Sequence, residues 1–202
     1  LTFYAWPRFY HRVFNDLMRY GVGDITHSSG HHDHFNQWMW QRLLWSPRRS
    51  VEDLVQEYCT TWFGEEAAPL MTLAIFQLEE NMEEQADTPL NEKKGVDLYY
   101  DLVKQAGEKM PAGLMQNDWL WRMYMQKGAL DKYTKLAVQQ QMVLQKKVEA
   151  KTAQILGKNK SDTELSAMLT LFDDIEETLE MAKLRTEAGQ LGEESNHLFG
   201  VR

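Results

Sequence analysis

Cysteine is all but missing from this chain. Cys59 stands alone among 202 residues, which excludes an intrachain disulfide. A secreted protein can still lack disulfides, so the count fixes no compartment. Basic residues are also short: 22 Lys and Arg stand against 30 Asp and Glu, for a net charge of −8. A chain this acidic lacks the basic face by which proteins grip nucleic acid, and no nucleic-acid partner is expected. An anionic membrane surface is disfavoured for the same reason. No run of about 18 apolar residues occurs, so no membrane insertion is expected. Internal repeats, low-complexity tracts, a signal-peptide pattern, a Gly-rich phosphate loop and a GxSxG elbow are all lacking. The first residue is Leu1 rather than Met, so we expect a fragment, a processed chain or an excised domain.

What is present suits a globular protein. Apolar residues make up 43% of the chain and charged residues 26%, enough for a real core. Tryptophan is concentrated: five of the seven, Trp6, Trp38, Trp40, Trp45 and Trp62, fall in the first third. Such crowding makes either a core or a surface on which sugar rings stack.

Residues 1–6 are aromatic and apolar up to Pro7, the pattern of a buried strand. Arg8 to Tyr20 reads as a helix, with Phe9, Val13, Leu17 and Tyr20 on one stripe and Tyr10 and Phe14 widening it. Gly21 sits where a helix C-terminal glycine belongs. Val22 to Thr26 then reads as a second strand. Strand, helix and strand in 26 residues make a βαβ pattern, which needs further strands from elsewhere because two strands make too little sheet. His27 to His34 is a polar loop, and Asp33 or Ser29 is placed to cap the helix that follows. That helix spans Phe35 to Trp45 and stops at Ser46-Pro47. Ser50 and Asp53 form a capping box for the next one, whose buried face holds Val51, Leu54, Val55, Tyr58 and Trp62 and which Gly64 ends.

The remainder reads as helix. Glu66 to Gln85 carries Pro69 in its first turn, with Leu70, Leu73, Ile75 and Leu78 packing inward. A turn with Pro89 leads to a helix over Lys94 to Lys109. Met110 to Gly113 interrupts, and Asp118 opens a long tract in which Gly128 is a candidate kink. Leu130, Ala137 and Leu144 recur at sevens as far as Leu156. After a capping box at Ser161 and Glu164, an a/d seam runs through Leu165, Met168, Phe172, Ile175, Leu179 and Ala182. We expect these tracts to form an antiparallel hairpin over 130–187, followed by an irregular tail from Gly189. The acidic clusters Glu79–Asp87 and Asp173–Glu180 read as solvated helix faces.

Chemistry concentrates in the loop. His27, His31, His32 and His34 lie within eight residues, beside Asp33. Imidazole serves as metal ligand, acid, base or hydrogen-bond partner near neutral pH. The spacing matches no zinc signature, so a metal site is the weakest of three readings, behind a neutral-ligand site and a solvated loop, and no metal and no cofactor is expected. If Val22–Thr26 is a parallel strand, the loop lies at its C-terminal end, where (β/α)8 barrels keep their active sites. Trp38, Trp40 and Trp45 follow, and an indole face stacks on the apolar face of a pyranose. Glycoside hydrolysis needs two carboxylates. Asp24 and Asp33 are present, neither with an evident partner, and no catalytic residue is assigned. Cys59 has no basic neighbour and reads as structural.

Three stretches in this order carry a resemblance: residues 3–25 (FYAWPRFYHRVFNDLMRYGVGDI), the Gly/His loop, and residues 38–70 (WMWQRLLWSPRRSVEDLVQEYCTTWFGEEAAPL). They resemble the C-terminal end of a bacterial glycoside-hydrolase-like (β/α)8 barrel family. That family includes uncharacterised barrel domains and endo-β-N-acetylglucosaminidases acting on complex N-glycans, and is more distantly similar to α-glucuronidases. The resemblance covers about residues 1–80.

It implies a mainly α chain: the last strand/helix units of a barrel (1–64), a connecting helix and turn (65–94), and an antiparallel helical bundle (95–202). The catalytic carboxylates would lie upstream, and the isolated chain would be inactive. His27, His31, His32, Asp33 and His34, with Trp38 behind them, would face the sugar. The partners implied are a glycan or oligosaccharide and the upstream barrel segments, in a secreted, periplasmic or surface setting. The alternative is a non-enzymatic helical module that recruits a partner through its long hairpin.

Overall fold

Ser50 begins the most sharply marked helix. Its Oγ accepts a hydrogen bond from the Asp53 N–H at 3.1 Å, which satisfies one of the free donors of the first turn. Gly64 ends the helix with φ +88°, a conformation that a side chain resists.

The computed structural model describes residues 3–25, 27, 33–83, 88–156, 166, 170 and 177–198. Helices dominate these residues, and no strand occurs among them. In order they are α1 (Pro7–Leu17), α2 (His34–Trp45), α3 (Val51–Phe63), α4 (Ala68–Glu83), α5 (Gly95–Lys109), α6 (Ala112–Asn117), α7 (Trp119–Leu156) and α8 (Leu179–Leu198). A 3-10 turn at Leu90–Glu92 precedes α5. The protein is mainly α.

The expected strands are not formed at residues 3–6 and 22–25. The first segment finds another way to satisfy its backbone. Asn36, nearly buried on α2, accepts a hydrogen bond from the Trp6 N–H at 3.0 Å and donates to the Tyr4 carbonyl at 3.1 Å. One side-chain amide thus takes the place of a neighbouring strand. Phe3 and Ala5 turn into the core, and the Phe3 ring meets Tyr124 of α7 edge-on at 4.6 Å. Residues 22–25 have no such partner, and Val22 and Ile25 stand fully exposed.

Glu79 of α4 closes the start of α1. Its Oε1 accepts the Phe9 N–H at 3.0 Å, and Arg8 lies 3.5 Å from its Oε2 and from Glu80. Negative charge at a helix N-terminus is favourable, so this buried carboxylate joins α1 to α4. The acidic cluster is therefore not wholly a solvated face. On the same helix Met71, Ala74, Ile75 and Leu78 point inward, whereas Leu73 is more than half exposed, against expectation. It falls off the i, i+3, i+4, i+7 face that packs.

α5 lies between α4 and α7, and α8 runs along α7. Lys135 is buried between α5 and α7 because its ammonium bonds the Asp97 carboxylate and the Lys93 carbonyl. Gly128 does not break α7, which is continuous through it. The expected seam residues Leu165, Met168, Phe172 and Ile175 lie outside the described residues. Leu179 is 74% exposed, and the face of α8 that packs is Met181, Leu184, Ala188 and Leu191. α8 also continues to Leu198, where an irregular tail was expected from Gly189. A helical glycine costs about 1 kcal/mol. Here that cost is offset by burial of Ala188 and Leu191, the Gln126 bond to the Ala188 carbonyl at 3.0 Å, and the Arg122–Glu194 pair at 2.7 Å.

Candidate functional site

α2 is aromatic on several faces, and its setting decides how each is used. Arg42 near its end and Arg49 just beyond both bond the Glu57 carboxylate of α3. These contacts fix α2 against α3. On that side Phe35 meets the Tyr58 ring edge-on at 4.9 Å, and Trp38 meets it at 5.2 Å. The Arg42 guanidinium lies 5.8 Å from the centre of the Trp38 ring.

His34 belongs to this closed side. Its Nδ1 is 2.9 Å from the Tyr58 hydroxyl, and its ring packs edge-on against Trp62 at 4.8 Å and Trp119 at 5.5 Å. Burial lowers its pKa, because the charged imidazolium loses hydration there. Burial likewise raises the phenols of Tyr58, Tyr99 and Tyr124. The Cys59 thiol is pushed up to about 12 by burial, which agrees with a structural role.

The other side of α2 borders open space. A cavity of about 270 Å³ lies between α1 and α2. Tyr10, Val13 and Leu17 of α1 form one wall, and Asn36, Gln37 and Trp40 of α2 the opposite one. Asp24, His27 and Asp33, from the connection between the two helices, complete the lining. Tyr10 and Phe14 hold the Trp40 ring edge-on at 6.2 and 5.4 Å. Trp40 is 5% exposed, and its indole N–H, buried, has no hydrogen-bond partner.

Two carboxylates serve this cavity, and no Lys or Arg is among its described walls. Asp24 accepts the Ile25 N–H at 2.7 Å. Asp33 occupies the N-cap position of α2 without a capping bond from its side chain. Tyr4 adjoins Asp33. Burial raises its phenol to about 12, and the Tyr10 phenol and Asp33 carboxylate push the same way.

The structure thus divides the residues that the sequence singled out. His27 and Asp33 line the cavity. His34 and Trp38 pack on Tyr58 and are not among its walls. His31 and His32 lie outside the described residues. Sequence reading offered Trp40 as a stacking candidate but missed Tyr10, Asn36 and Gln37. The available signal was two adjacent amides, Asn36 and Gln37, inside an otherwise aromatic helix.

A wider cleft of about 740 Å³ lies between α5, α7 and α8, and some of its charges are engaged within it. Lys132 sits 3.6 Å from Glu180 and 4.8 Å from the centre of the Tyr100 ring, and the Tyr100 hydroxyl donates to Glu187 at 2.7 Å. Among the described residues no group of three or more His, Cys, Asp or Glu is arranged to hold a metal ion. Nor is any helix of those residues long and apolar enough to cross a membrane.

Residues 7–74 match the family model of a domain of unknown function, DUF4838. The match takes in α1 to α3 and part of α4, and with them every lining residue of the α1–α2 cavity. Neither the curated proteins nor the solved structures contain a match to the chain.

Proposed function

We propose that this chain is the C-terminal part of a carbohydrate-active, glycoside-hydrolase-like enzyme. The α1–α2 cavity faces a glycan, α5 to α8 form a helical accessory region, and the chain alone is inactive. One observation carries the reading: a cavity of about 270 Å³ joins two aromatic side chains, Tyr10 and Trp40, to the polar groups of Asp24, His27 and Gln37. Sugar recognition asks for this combination, with ring faces for the C–H side of a pyranose and polar groups for its hydroxyls. Further barrel segments, the second partner in this reading, would cover the exposed Val22 and Ile25.

A glycan-array scan of the chain tests the proposal, with the double variant His27→Ala, Gln37→Ala as its control. Binding by the parent and loss in a control that keeps its helical circular dichroism would support it. Binding unchanged in the control would refute the assignment of the cavity. A parent that binds no glycan would remove the carbohydrate reading.

A further inference from the structure

We propose that Met82 is a site of modification by peroxide, its thioether going to a sulfoxide that the Trp6 indole N–H then holds. This stands apart from the glycan reading. Met82 lies in the last turn of α4 and is 42% exposed, the most open methionine among the described residues. Met39, Met71, Met110, Met123, Met125 and Met181 are buried, and Met18, Met115 and Met142 are half-buried. Oxidation of sulfur follows access. The other sulfur chemistry open to peroxide is that of Cys59, which is buried, with its thiol pushed up to about 12. Cys59 therefore stays a thiol at neutral pH, and the thiolate is the form that reacts.

The donor that receives the new oxygen is already in place. Trp6 Nε1–H donates to the Met82 Sδ at 3.1 Å. The indole is held there by the rings of Tyr4 at 5.3 Å and Phe9 at 5.0 Å, and the Trp6 backbone N–H by Asn36. A thioether sulfur is a weak acceptor, and the indole takes one of its two lone pairs. The oxidant is hydrogen peroxide. The second lone pair attacks one peroxide oxygen and the O–O bond breaks. The departing hydroxide takes the proton of the transferred oxygen and leaves as water. Sulfur gives up two electrons and the peroxide gains them. The sulfoxide oxygen is a stronger acceptor than the sulfur, and rotation about the terminal bonds of Met82 brings it to the indole N–H. A sulfoxide in an apolar core disrupts packing. Here the oxygen forms at an open position beside a waiting donor, so the modification tightens the joint between residues 3–6 and α4.

Limited hydrogen peroxide at neutral pH, followed by peptide mass spectrometry and 1H–15N spectra, tests this. Met82 should gain one oxygen about tenfold faster than any buried methionine, and ahead of the half-buried ones. As it does, the Trp6 indole proton should move downfield, the direction of a stronger hydrogen bond, and the melting temperature should hold. Met82→Leu should lose both the early oxygen gain and the indole shift. Trp6→Phe should keep the oxygen gain, but its melting temperature should fall on oxidation, because the sulfoxide has lost its donor. Another methionine or Cys59 oxidised first would overturn the assignment of the site. A Trp6 indole signal that stays or moves upfield, or a parent melting temperature that falls as Met82 is oxidised, would overturn the role of Trp6 and with it the proposal.

Discussion

The two sides of α2 are built from the same kinds of residue and serve different ends. Towards α3, His34, Phe35 and Trp38 close on Tyr58. Towards α1, Asn36, Gln37 and Trp40 border a cavity. Histidines seven positions apart share this fate: His34 is locked against aromatic rings, and His27 stands at an open wall. Aromatic content alone therefore does not separate core from site. Open volume does.

The closed side should respond most to truncation. Tyr58→Ala removes a fully buried ring that meets Phe35, Trp38 and Phe63, and should cost about 3–5 kcal/mol in urea unfolding. A loss near zero would erase the contrast. Tyr58→Phe keeps the ring and removes the hydroxyl beside His34, so the expected cost is about 1 kcal/mol.

A pH series sharpens the comparison further. Burial places the folded pKa of His34 below its unfolded value. The stability held by neutral His34 is then complete above about pH 6.5 and drains away as pH falls from there through the lowered value. The melting temperature should decline across that window, and His34→Phe should flatten the decline. The open side should respond least. His27→Ala and Gln37→Ala should each change stability by no more than about 0.5 kcal/mol, the range of ordinary surface substitutions, while weakening ligand binding. A larger loss of stability would mean that these residues hold the fold.

Part of this architecture was legible in the sequence because its signals are local. Ser50, Asp53 and Gly64 bound α3, Ser46 ends α2, and Asp118 opens α7 by accepting the Trp121 N–H at 2.8 Å. The failures come from non-local partners. Residues 3–6 have strand composition, but Asn36, 30 positions beyond Trp6, takes up their backbone groups. The glycines at 189 and 192 suggested a loose tail, yet contact with α7 keeps them helical. Leu73 fits a generous apolar count but misses the face that packs.

The site was half legible for the same reason. A polar loop advertises itself, and it delivered His27 and Asp33 to the cavity. Its opposite walls are Tyr10 and Val13, which read as one more apolar stripe, and Trp40, which reads either as core or as a stacking surface. Only the packing of α1 on α2 brings them to face the loop. His34 belongs to the histidine run by sequence but occupies the first position of α2, and the helix turns it towards Tyr58.

The most direct test of the central claim is a two-dimensional 1H–15N spectrum of the chain titrated with the glycan that binds best in the array scan, with the indole signals assigned by Trp→Phe variants. An open, ligand-facing α1–α2 side predicts that the Trp40 indole signal moves together with the amide signals of His27 and Gln37, while the indoles of Trp38 and Trp62 stay in place. Movement confined to Trp38 and Trp62, or no movement at all, would contradict it.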